Sequence, residues 1–92
     1  MDHLSVNEIH RRLEEVPEWH FEHDGILRHF EFEDFKKAME FVNKVAEEAE
    51  KENHHPDITI NYNKVTLFLV THSANGLTHK DFKLAKVIDQ LN

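Results

Sequence analysis

The sequence predicts an α+β fold: a four-stranded antiparallel sheet with helices packed on one face, in the order α-β-β-α-β-β-α. Apolar residues recur at helical spacing in three segments, and the stretches between them alternate apolar and polar residues around turn formers. Strands joined as hairpins, with helices between the hairpins, give antiparallel pairing and a separate helical layer. At 92 residues the chain suits one domain, residues 1–92, with no room for a second core.

The first helix opens at Leu4-Ser5-Val6-Asn7-Glu8-Ile9, where Ser5 and Glu8 form a capping box and Leu4 with Ile9 a hydrophobic staple. Val6, Ile9, Leu13 and Val16 make its apolar stripe, and Pro17 stops it. Trp19 and Phe21 alternate with His20 and Glu22, and His23-Asp24-Gly25 supplies a turn. The return strand runs Ile26 to Phe32, with Arg28 interrupting the apolar face of Ile26, Phe30 and Phe32.

From Asp34 the period changes to 3.6, and Phe35, Ala38, Met39, Val42, Val45, Ala46 and Ala49 trace the broad apolar face of a long helix. Ile58, Ile60 and Tyr62 then alternate with Thr59 and Asn61. After a tight turn at Asn61-Tyr62-Asn63-Lys64, a strand from Val65 to His72 carries apolar groups on both faces and is expected to be the most buried. The first and last strands are expected at the sheet edges. Gly76 is expected to supply a positive φ in the following loop. Thr78 caps the last helix with Asp81 at its third position, Leu77 and Phe82 staple it, and Leu84, Ala85, Ile88 and Leu91 complete its face.

Composition excludes several function classes. The formal charge is −7, from eighteen acids against eleven Lys and Arg, and no basic stripe suits nucleic-acid phosphates. Without cysteine there is no disulfide, thiolate metal site or cysteine nucleophile. No apolar run approaches a membrane span or a signal peptide, so the expectation is a cytoplasmic protein with no membrane partner. So small a core makes self-association a source of extra stability, and pairing of sheet edges between subunits would remove an exposed strand.

Of nine histidines, His3, His10, His20, His23, His29 and His79 read as surface or turn residues. His54-His55-Pro56 differs, because helix periodicity runs out there and Pro56 disfavours helix at the residue before it. The spacing from Glu50 to His54 puts carboxylate and imidazole on one helix face if the last turn stays helical. His72 closes the buried strand ahead of the Gly76 loop, where a strand end faces a helix terminus. Three imidazoles there can transfer protons, bind a metal, or merely finish their elements. Metal is the weaker reading, since no HxH or HExxH spacing is present. Asp81 reads first as a helix cap, Tyr62 as a packing residue beside its turn, and Glu50 as part of the acidic face.

Glu50-x3-His54-His55-Pro56-x5-Tyr62-x9-His72-x8-Asp81, with Tyr62-Asn63-Lys64-Val65, Thr71-His72 and Gly76-Leu77-Thr78 in order, resembles the active-site signature of the pterin-4a-carbinolamine dehydratases. The resemblance extends upstream through Phe32-x-Asp34-Phe35 and covers nearly the whole chain. It implies loss of water from 4a-hydroxytetrahydropterin to give quinonoid dihydropterin, which recycles the pterin cofactor of aromatic amino-acid hydroxylases. It implies no cofactor, no metal, a small-molecule pterin substrate, and a homodimer or homotetramer.

By the same resemblance His54 and His72 are the acid/base pair, in either order, and His55 binds and orients the pterin. Glu50 would orient His54, with Tyr62 and Asp81 in supporting positions. Ile58 and Lys80 depart from the Trp and Arg of animal members. The competing readings are a non-catalytic pterin- or protein-binding module and a pterin-related step in molybdenum-cofactor metabolism.

Overall fold

A computed structural model describes residues 2–92. Its elements are α1 (Val6–Leu13), β1 (His20–Glu22), β2 (Gly25–Glu31), α2 (Phe35–Glu52), β3 (Asp57–Asn61), β4 (Lys64–Leu69), a short 3-10 turn (His72–Ala74) and α3 (His79–Asp89). The four strands form one antiparallel sheet in the order β1-β2-β4-β3, and the predicted class and element order hold.

The core follows from strand alternation. Val65, Leu67 and Leu69 of β4 and Ile26 and Phe30 of β2 point to the helical side and are fully or nearly fully buried. Against them pack Ala38, Phe41, Val42, Val45 and Ala49 of α2 and Phe82, Leu84, Ala85 and Ile88 of α3. Phe30 and Phe41 lie 4.7 Å apart between ring centres, and Trp19 meets Phe30 edge-on at 6.5 Å. Arg28 does interrupt this face: its guanidinium lies 4.4 Å over the Phe30 ring and donates to Asp89 at 2.7 Å. Asp89 also accepts from the Trp19 indole at 2.8 Å, which pins the end of α3 to the sheet.

Several expectations are corrected. The edges are β1 and β3, whereas the last strand is central, because β4 pairs with β2 as well as β3. β4 ends at Leu69, and His72 sits on the 3-10 turn beyond it. In α1 only Ile9 is buried; Val6, one turn earlier, remains 60% exposed. Ala46 is exposed, since one further residue rotates it about 100° from the buried Val45. Ser5 does accept from the Glu8 amide at 3.2 Å, but the Glu8 carboxylate turns to Arg11 and Arg12, so only half the capping box forms.

Both glycines serve proximity rather than dihedral freedom. Register sets Glu22 opposite Gly25, so the two-residue turn is His23-Asp24, with positive φ at both (53° and 63°). That is the type I′ pattern, and each left-handed non-glycine costs on the order of 1–2 kcal/mol. Gly25 is instead held in the strand, because a Cβ there would come within 2.5 Å of the Phe68 ring and the Leu69 carbonyl. Gly76 likewise has no positive φ. Asn75 takes that role (55°), and a Cβ on Gly76 would meet the His3 side chain at 3.0 Å.

Candidate active site

The site begins where α2 ends. Asn53 adopts the left-handed conformation (φ 51°, ψ 42°), its amide donating to the Glu50 carbonyl at 3.2 Å while the His54 amide reaches back to Ala49 at 3.1 Å. This Schellman arrangement satisfies the last carbonyls and swings His54 off the helix. Pro56 follows as a stop. The expected pairing of Glu50 with His54 is therefore absent. Glu50 meets His55 at 2.5 Å, in an exposed pair with side chains 77% and 57% accessible.

His54 turns inward to another carboxylate. Its Nε2 lies 2.5 Å from Asp81 Oδ1, with the imidazole 11% exposed and Asp81 fully buried. The second oxygen of Asp81 accepts from the Thr78 amide at 2.9 Å and the Thr71 hydroxyl at 2.8 Å, and Thr71 also meets Thr78 at 2.8 Å. The capping box of α3 is thus complete, as expected, and the same carboxylate that caps the helix holds the histidine. A carboxylate only accepts, so the Nε2–H of His54 is the donor in this bond, and in the neutral ring Nδ1 is then the acceptor.

Thr71 carries the arrangement across to His72. Its backbone pairs with Gly76 (3.0 and 3.4 Å), closing a short loop over the His72–Ala74 turn. His54, His55 and His72 then line one hollow of about 270 Å³ together with Val70, Thr71 and Lys80. Tyr62 does not join them. It stands 62% exposed in the β3–β4 turn (φ 54°), at the opposite end of β3 from the histidine pair.

The family model for pterin 4 alpha carbinolamine dehydratase matches residues 2–91. This chain belongs to the pterin-4a-carbinolamine dehydratase family.

Relatives in the family include proteins named as pterin-4-alpha-carbinolamine dehydratases from Acidobacterium capsulatum, 53% identical over 99% of both chains, and from a Picosynechococcus species, 52% identical over 96% of both. A transcriptional coactivator/pterin dehydratase from Brucella melitensis has the same fold, with a TM-score of 0.93 at 35% identity over 98% of each chain. A pterin dehydratase-like RuBisCO assembly factor shares the fold more loosely, with a TM-score of 0.65 at 18% identity over 79% of this chain and 84% of that one. The family is one of hydro-lyases, and the chain is a member of it along its length.

Within the family's signature the structure brings together His54, His55, His72, Glu50 and Asp81, and leaves Tyr62 apart. The sequence pattern included Thr71 without giving it a role, and its hydroxyl ties the His72 loop to Asp81. A threonine before a histidine gives no local sign of that bond, because the partner lies ten residues on. Lys80 places a cation on the rim of the hollow. Among the described residues no three His, Asp or Glu side chains converge in a way that would hold a metal ion.

Proposed function

We propose that the protein dehydrates a 4a-hydroxytetrahydropterin by histidine acid/base catalysis. The observation that carries this is three imidazoles around one hollow, one of them anchored on a buried carboxylate. In the reaction the C4a–O bond breaks, the departing hydroxyl takes a proton and leaves as water, and N5 loses its proton as the C4a=N5 bond forms. Nothing is oxidised or reduced. Positioned general acids and bases typically contribute about 10²–10⁴-fold each.

The geometry favours one assignment of roles. His54 offers Nδ1 as acceptor, and Asp81 behind it stabilises the imidazolium formed when the N5 proton arrives, the logic of a carboxylate-backed base. His72 lies across the hollow on its own turn, among the described side chains with no carboxylate bonded to it, and gives the proton to the 4a-hydroxyl. Proton exchange with water restores both for the next turnover. His55, braced by Glu50 at the rim, orients the polar edge of the pterin.

Product release as quinonoid dihydropterin would serve recycling of a hydroxylase cofactor. The protein is proposed to act as a homo-oligomer, since β3 is an edge with all five residues exposed, including Ile58 and Ile60. The experiment generates the carbinolamine with a hydroxylase and follows its ultraviolet decay. Acceleration well above the spontaneous rate is expected. Decay at the spontaneous rate would instead favour a binding module.

A further inference from the structure

His72 is a wall of two hollows. The second, of about 230 Å³, shares Val70 and His72 with the first and is otherwise lined by His23, Asp24, Phe68 and Asn75. Small-molecule sites usually span about 300–1,000 Å³. Each hollow alone falls below that range, and together they enter it.

The second hollow is built from strained backbone. His23, Asp24 and Asn75, three of the five non-glycine residues with positive φ among the described residues, converge on it. The strain in the β1–β2 turn is fixed by the Gly25 register, because the Phe68 ring lies against that glycine. The same ring floors the hollow. The chemistry is mixed: Phe68 and Val70 are apolar, while Asp24, His23 and Asn75 offer a carboxylate acceptor, an imidazole and an amide at the rim.

Resting on the dehydratase reading, we propose that the His23-Asp24 turn is the subsite for the substituent at C6 of the pterin, and that it selects hydroxyl-bearing substituents. With the reacting C4a and N5 between His54 and His72, the neighbouring C6 substituent passes His72 into the second hollow. Its carbon chain lies on Phe68 and its hydroxyls donate to Asp24.

The test compares two carbinolamines, one carrying a 6-methyl group and one a 6-dihydroxypropyl chain, in the unaltered protein and in Asp24→Gly and Asp24→Asn. Glycine adopts positive φ freely, so Asp24→Gly keeps the turn while removing the carboxylate. Loss of a hydrogen bond to a charged group predicts that kcat/KM for the dihydroxypropyl substrate falls about tenfold or more relative to the methyl one, through KM. Asp24→Asn, which keeps an acceptor oxygen, should retain part of that preference. An equal change with both substrates, or none with either, overturns the subsite while the dehydratase reading stands. No turnover of either substrate by the unaltered protein would sink that reading and the subsite together.

Discussion

Two imidazole–carboxylate pairs of equal length, 2.5 Å each, sit one residue apart in this chain and differ in what surrounds them. His54–Asp81 is buried and supported by Thr71 and Thr78, whereas His55–Glu50 is solvated. Burial strengthens the first electrostatically and makes removal of one partner expensive, about 3–5 kcal/mol for a buried pair. Exposed pairs are worth about 0–1 kcal/mol. Asp81→Asn is therefore expected to lower both the unfolding midpoint and kcat, the latter by about a hundredfold or more. Glu50→Gln should leave stability within about 0.5 kcal/mol and act on KM. Denaturant titration beside steady-state kinetics reads both. His54→Ala and His72→Ala should each cost about 10²–10⁴ in rate with helix content retained, and only His54→Ala should also lower the unfolding midpoint. Equal loss of helicity and rate would mark the histidines as structural.

At the scale of elements, turns set where side chains arrive. Asn53 ends α2 in the left-handed region and so decides that His54 faces Asp81 rather than Glu50. Asn53→Gly should be tolerated, whereas Asn53→Ala forces a Cβ into positive φ and is expected to cost about 1 kcal/mol, with a larger fractional loss of rate than of stability. Gly25→Ala is predicted to be worse than a strand propensity scale would suggest. Its Cβ meets backbone as well as the Phe68 ring, and overpacking of this kind costs about 1–3 kcal/mol, measurable as a lowered thermal midpoint.

Over the whole molecule, the sheet is a platform and the last helix its keystone. α3 supplies Asp81 to the site at its start and Asp89 at its end, where Trp19 and Arg28 hold it. A surface pair, Glu15 with Lys86, ties the segment after α1 to the same helix. The Lys86 ammonium, by its hydrogen bond first and its charge second, holds the Glu15 carboxyl below the ordinary carboxylate range. A lowered folded value means the contribution is present above the ordinary carboxylate pKa and lost as pH falls through the folded one. The stability difference between the protein and Glu15→Gln should thus close in acid, and also at high salt, because the pair is exposed. A difference that persists at low pH would show that the pair contributes nothing.

Composition and period by themselves determined the class, the element order, both hairpins, the cap of α3, and the three histidines at element ends. These are local properties: a cap is legible within four residues, a strand within six. Only the tertiary structure decided the partners. Asp81 lies 27 residues from His54, and no periodicity reports a bond over that distance. Sheet order placed β4 at the centre and moved the loop of His72 against the end of α2. The glycines followed the same division: the sequence marks where a side chain is missing, and only packing against Phe68 and His3 says why.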